Sequence, residues 1–338
     1  MNIKTEITQL HYDRNASGPL VKALEFCSLF YEIGSSFKNF LYDKNILKPK
    51  KVMAYVISVG NLTTGGVGKT PVVLEIARYL AKKGEKVAIV SRGYGGKLSN
   101  RKVNVISDGS TVFYNADMAG DEPFWLAQKA DGVCVLTCRS RYDAAKYAID
   151  NFGVTKIILD DGFQHRKLYR DLDIVLMDSK MGLGNEKPLP AGPMREGAEA
   201  LERIDKLVVV SKNIDHSQAH EFAQIMHDRL KIDTHMCYTE PDYIYNIKTG
   251  EHLEEGATVT AMCAIGQPQQ FFDFLQNYNV VDTIALDDHH QYSPIDLLDI
   301  EGDIVTTEKD AVKLLKFDMN NIYALKLKTS IDVERLLK

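Results

Sequence analysis

The chain has 338 residues, 45% of them apolar and 26% charged, and a net charge of −5. That is enough for one large or two ordinary domains with ample core, and neither half is basic enough for nucleic acid to be a main partner. Five cysteines, odd in number and without a CxxC pair, read as reduced thiols of a cytosolic protein, and no apolar segment leads to a small-residue cleavage site, so no signal peptide is expected.

Residues 1–18 are polar and are expected to be loosely held. Residues 19–43, PLVKALEFCSLFYEIGSSFKNFLYD, carry Leu20, Leu24, Cys27 and Tyr31 on one helical face, broadened by Phe26, Leu29, Phe30, Ile33, Phe37 and Phe40. Lys22, Glu25, Glu32 and Lys38 make the run too charged to span a bilayer comfortably. Residues 1–51 hold eight basic and five acidic side chains, a local balance of +3. An aromatic helix in a basic segment suits a membrane interface; packing on the protein's own core is the alternative.

Residues 52–80 read as strand, glycine-rich loop and helix. Val52 to Val59 is a β-branched run of buried-strand length, and Val73, Ile76, Ala77 and Leu80 repeat at helical spacing. Between them lie Thr63, Thr64, Gly65, Gly66, Val67, Gly68, Lys69 and Thr70. Such a loop aims backbone N–H groups and a helix N-terminus at one anion. Lys69 would reach the β- and γ-phosphates of a nucleotide, and the Thr70 hydroxyl would face Mg²⁺. The strict pattern places glycine at position 63, where this chain has Thr63.

Strand 86–91 ends in SRGYGGK, where Arg92 and Tyr94 could clamp an anionic or sugar group or merely form a turn. Asp121 and Glu122 precede a helix expected to begin near Phe124, and capping alone would account for them. Strand 132–137 leads to a helix with Arg139 and Arg141 at its entrance, a plausible anion contact. Strand 156–161, KIILDD, ends in Asp160 and Asp161, the carboxylates that would hold Mg²⁺ downstream of a phosphate loop. Gln164, His165, Arg166 and Arg170 follow at the strand's carboxyl end, where ligands bind in open parallel sheets.

Strands 173–179 and 206–212 flank PLPAGPMREG (188–197), a proline-rich loop carrying Arg195 as a charge clamp. Residues 215–231 form a helix. Residues 237–253 look like two short strands around Lys248-Thr249-Gly250. Strand–helix alternation then resumes over 258–275, 282–293, 303–315 and 321–328. His289 and His290 are adjacent, so they point apart, and no third ligand sits at a supporting spacing for zinc; a solvated loop and a reactive histidine held by a neighbouring carboxylate are the two readings left open. The fold expected is α/β: a P-loop NTPase core with a mostly parallel sheet flanked by helices, plus a smaller α/β C-terminal domain joined by a short β linker. The parts are residues 1–50, 51–236 and 237–338.

The ordered set SVGNLTTGGVGKTP, SRGYGG, GDEP, LDDGFQHRKLYRDLDIVLMD, PLPAGPMREG, DHHQYS and TTEKDAVKL, over residues 58–314, resembles the tetraacyldisaccharide 4′-kinase (lipid A 4′-kinase) family of Gram-negative bacteria. The phosphate loop alone is shared by many nucleotidases; GFQHR joined to LDD is specific. The resemblance implies ATP-dependent phosphorylation of the 4′-hydroxyl of a tetraacylated glucosamine disaccharide 1-phosphate at the cytoplasmic face of the inner membrane. It implies Asp121 as the base and His289 as its partner across an interdomain cleft. Glu122, Asp160 and Asp161 would be linked to Mg²⁺, Arg195 would stabilise phosphate, and Arg92, Tyr94, Gln164 and His165 would line the acceptor site. Helix 19–43 would contact membrane and acyl chains, and the protein is expected to act as a monomer. The rival reading is a membrane-cycling ATPase switch of the partition or cell-division type, whose signature lysine would stand where Thr63 does.

Overall fold

The computed structural model describes residues 3–212, 215–266, 268–287, 290–298 and 300–338. The chain opens with helices α1 (Ile3–Leu10) and α2 (Pro19–Asp43). Strand β1 (Tyr55–Asn61) leads through the glycine-rich loop into α3 (Lys69–Lys82), followed by β2 (Val87–Ser91) and β3 (Asn104–Asp108). Next come α4 (Ala116–Ala119), α5 (Asp121–Lys129), β4 (Cys134–Thr137), α6 (Arg141–Phe152), β5 (Lys156–Asp160) and β6 (Leu172–Asp178). After the proline-rich loop run β7 (Lys206–Ser211), α7 (Ser217–Leu230) and β8 (Asp233–Asn246). The rest is β9 (Thr258–Cys263), α8 (Pro268–Asp273), β10 (Asn279–Ala285), β11 (Asp303–Thr307), α9 (Glu308–Leu314), β12 (Ile322–Ile331) and α10 (Val333–Leu336).

Among the described residues these strands form one sheet in the order β10-β9-β11-β12-β8-β7-β6-β1-β5-β2-β4-β3. All pairings are parallel except β3–β4 and β8–β12. The central strands are apolar throughout because both faces are covered: every residue of β2, β4 and β6 is buried. Clusters built on α3 and on α6 cover opposite sides of that half. Two further clusters do the same around β9 and β11.

Strand β8 serves both halves, pairing with β7 along one edge and with β12 along the other. It corrects the expectation of two short strands over 237–253. One strand of 14 residues runs to Asn246, and only an isolated bridge between Tyr245 and His252 follows the turn. Pro241 does not end it, because Pro241 sits where the β8–β12 register shifts beside Leu327, a place where a missing N–H is tolerated.

Two other expectations change. The first helix after the SRGYGG loop begins before Phe124: Asn115 caps α4 by accepting from Met118 N, and Asp121 and Glu122 lie in the first turn of α5 itself. Residues 10–12, within the stretch expected to be loose, are tied down. His11 is buried, its Nε2 lies 3.0 Å from Pro190 O, Asn185 bonds the carbonyls of Leu10 and His11, and Tyr12 Oη donates to Thr64 O at 3.4 Å. This stretch exchanges hydrogen bonds with a loop 175 to 179 positions away, which composition does not reveal. All five cysteines are free thiols.

Candidate active site

A cavity of about 1580 Å³ opens between the two halves of the sheet. The glycine-rich loop after β1 and the carboxyl ends of β2 and β5 border it on one side, and the loop after β9 and the β11–α9 junction on the other.

The phosphate loop is shaped by its neighbours. Gly65 and Gly68 take φ of +115° and +90°, left-handed values that favour glycine. Thr63 does not need that freedom. It forms an antiparallel bridge to Met194 in the proline-rich loop, an extended position in which a β-branched residue is at home. Thr64 N donates to Pro193 O at 2.8 Å and Arg195 N to Leu62 O at 2.7 Å. The PLPAGPMREG segment is thus laced to the start of the loop, and this lacing delivers Arg195. From the other side Lys212 Nζ donates to Gly66 O at 2.5 Å and pairs with Asp178 at 3.1 Å.

Lys69 is held by Asn61 Oδ1 at 3.1 Å and by Asp161 at 3.6 Å. Arg195 grips both Asp161 oxygens at 2.8 Å. Lys69 and Arg195 outweigh the cost of burial and hold the Asp161 carboxyl below the usual range. Asp160 behaves oppositely. It is 4% exposed, and burial, then the Glu122 charge, pushes its carboxyl upward despite Lys69. Adjacent carboxylates have therefore split: Asp161 is neutralised by protein cations, and Asp160 is a buried acid facing another acid. That second arrangement fits a divalent cation, which would remove the repulsion.

Asp121 meets Lys313 of α9, Oδ2 to Nζ, at 3.1 Å. Gly120 makes this placement possible. Its φ is +94°, and a Cβ there would stand 2.6 Å from Tyr94 O, so the SRGYGG loop closes directly on the start of α5. The other end of α5 is also tied across the cavity, by Lys129 to Glu308 at 3.0 Å. His289 lies outside the described residues, as does Asp288; the carbonyl of His290, next in sequence, accepts from Lys313 Nζ at 3.3 Å.

The remaining wall is cationic. Arg92 and Tyr94 are exposed and, with Arg139, Arg141, Gln164 and His165, border the cavity. Arg141 Nε and His165 Nε2 are buried without a hydrogen-bond partner among the described residues, a cost that an incoming acceptor would offset. Burial, then the charges of Arg141 and Lys38, push His165 down to about 4, so its ring is neutral at pH 7. Gln164 spends its amide on Asn61 O at 2.9 Å, behind Lys69. Helix α2 is bolted to this wall by its polar side: Lys38 to Gln164 O, Arg166 to Asp43, Asn39 to Glu196 and Ser28 to Pro188 O. Its other side stays uncovered. Phe26, Phe30 and Phe37 are 62–65% exposed. Among the described residues no helix is long and apolar enough to cross a membrane.

The family model for tetraacyldisaccharide-1-P 4′-kinase matches residues 20–338. The tetraacyldisaccharide 4′-kinase of Syntrophus aciditrophicus is 36% identical, covering 93% of this chain and 90% of that one. This chain belongs to the tetraacyldisaccharide 4′-kinase family. The relative from Halothermothrix orenii is 34% identical, with 91% and 88% covered. A crystal structure of LpxK from Aquifex aeolicus, described as an apo form in complex with ATP, has a TM-score of 0.77 at 34% identity, covering 94% of this chain and 97% of that one. Membership makes the protein a kinase with a P-loop fold, and it sets aside the partition-type ATPase switch.

Three residues of this kinase site escaped the motif reading. Asn61 and Lys212 are the posts between which the phosphate loop hangs, and Lys313 grips Asp121. Asn61 ends a strand and Lys313 is an internal helix position in TTEKDAVKL; neither spacing announces its contact, Asn61 with Lys69 and Lys313 with Asp121 far earlier in the chain. Lys212, at the end of a buried strand, carried the one signal available, a charge where ligands bind.

Proposed function

We propose that this kinase transfers the γ-phosphate of ATP to the 4′-hydroxyl of a tetraacylated glucosamine disaccharide 1-phosphate, at the cytoplasmic face of the inner membrane. The observation that carries the reading is the convergence of Lys69, Arg195 and Asp121 on one cavity whose cationic wall adjoins an uncovered aromatic helix.

Thr64, Gly65, Gly66, Val67, Gly68 and Lys69 wrap the phosphates with N–H groups and one ammonium. Thr70, Glu122 and Asp160 would hold Mg²⁺, which needs few protein ligands when phosphates supply the rest. Bound there, Mg²⁺ supplies charge neutralisation to the triphosphate. Asp161 orients Lys69 and Arg195, and Arg195 follows the charge that develops on the transferred group. Asp121 accepts the sugar hydroxyl proton with His289 as its partner. Arg92, Tyr94, Gln164, His165 and Arg141 hold the disaccharide and its anionic end. The two halves, 51–236 and 237–338, act as lobes whose approach excludes water. Helix α2, residues 19–43, lies in the membrane interface with its phenylalanines among acyl chains. Every residue in this scheme belongs to one chain, so a monomer suffices.

Mass spectrometry of a synthetic tetraacylated disaccharide 1-phosphate incubated with protein and Mg-ATP tests this directly. The expected product carries one added phosphate. ATP turnover with an unmodified lipid would overturn the reading.

A further inference from the structure

We infer that Lys313 is the positioning residue for the base: it carries the closure of the second half of the molecule to Asp121. The inference rests on the role proposed for Asp121. Lys313 Nζ lies 3.1 Å from Asp121 Oδ2 and 3.7 Å from Asp310 Oδ1. Its side chain is 3% exposed, a burial that lysine tolerates only when its charge is met. Asp310 is fully buried and is itself pinned, one oxygen accepting from Ala264 N at 2.9 Å and from Thr307 Oγ1 at 2.9 Å. The order of anchoring therefore runs outward from the core of the second half: the ends of β9 and β11 fix Asp310, Asp310 fixes Lys313, and Lys313 fixes Asp121.

The same ammonium donates to His290 O at 3.3 Å. One cation thus joins α9, His290 and the first turn of α5, which are separate elements of two lobes. Lys129–Glu308, with Tyr245 Oη donating to Glu308 at 3.1 Å, ties the far end of α5 to the same helix. That second tie sits away from Asp121 and would suffice to hold α5 against α9. Lys313 is spent on the carboxylate itself. A buried lysine placed there fixes the direction in which Asp121 presents its carboxylate, and it can do so only while the lobes are together. Base orientation and closure become one event, which restrains phosphate transfer to water from a half-open state.

The test uses the full-length protein with Mg-ATP and the synthetic tetraacylated disaccharide 1-phosphate. Lys313→Met should lower kcat by about 10²-fold, the lower range for a positioned base, with both KM values within about threefold. Lys313→Arg, which keeps the charge, should recover about tenfold of that loss. Combined with Asp121→Asn, Lys313→Met should add no more than about twofold to the loss of Asp121→Asn alone, because a group acting through Asp121 has nothing left to position. Multiplying losses, a change confined to KM, or a Lys313→Met enzyme at wild-type kcat would each overturn the inference. Lys313→Met leaves Asp310 buried without its cation and could fail to fold. The double variant Asp310→Asn with Lys313→Met removes that charge and carries the same expectations; failure of both to fold would make Lys313 a structural group and overturn the positioning role. A wild-type protein that leaves the lipid unphosphorylated would instead refute the proposed function.

Discussion

The two ends of the cavity are built on different plans. At the phosphate end, Lys69 and Arg195 share Asp161 within the first half, which leaves one net positive charge, and they are braced by Asn61 and by the backbone lacing of the proline-rich loop. At the acceptor end, Asp121 comes from one half and its cation Lys313 from the other. The first end is drawn from one half alone; the second needs a residue from each. On the proposed reading, the nucleotide would be received by a site drawn from one half, while the base for the acceptor would be positioned only when both halves are together.

Lys69→Ala should be the most damaging single change, lowering kcat by about 10³-fold or more, since it removes charge from the transferred group and from Asp161 together. Steady-state turnover near the wild-type rate would remove the phosphate end from the comparison. Arg195→Lys keeps the charge but loses the two-oxygen grip on Asp161, and should lower kcat by about 10²-fold; an unchanged rate would show that charge alone is enough there. Replacing Phe30 and Phe37 together by Glu should weaken binding to anionic vesicles about tenfold or more while leaving ATP affinity intact, because α2 reaches the phosphate end only through its polar side. A fall in ATP affinity would show that the two regions are not separable.

The smallest effect concerns pH. His165 is held well below its ordinary value, at about 4. Between pH 6.5 and 4 the unfolded chain binds a proton there that the folded chain refuses, so stability falls as the pH drops through this window. His165→Gln should flatten that part of the stability profile in chemical denaturation, and a profile unchanged by the substitution would place the acid sensitivity elsewhere.

The phosphate end was legible in the sequence because its chemistry is contiguous. Strand, glycines, Lys69 and Thr70 form one run, and LDD follows a second apolar strand. Even there, Thr63 looked like a departure until its bridge to Met194 gave it an extended backbone. The acceptor end was legible only in part. Asp121 could be named, but adjacent acids at a helix start have an ordinary capping use. Lys313, 192 positions on, carries no mark in the sequence that sets it apart from other helix lysines. Its burial depends on the packing of α5 against α9, a long-range fact that periodicity does not encode. The N-terminal residues teach the same lesson: a polar stretch is loose only when no loop stands ready to bond it, and here Asn185, Pro190 and Thr64 do.

Transfer of labelled γ-phosphate in a single turnover, followed for the wild-type protein and for Asp121→Asn with the disaccharide lipid saturating, tests the division of labour most directly. Label should pass to the lipid in the wild type, and pass about 10²–10⁴-fold more slowly in the variant while ATP and lipid still bind. Equal rates in the two proteins, or label released only as inorganic phosphate by the wild type, would contradict it.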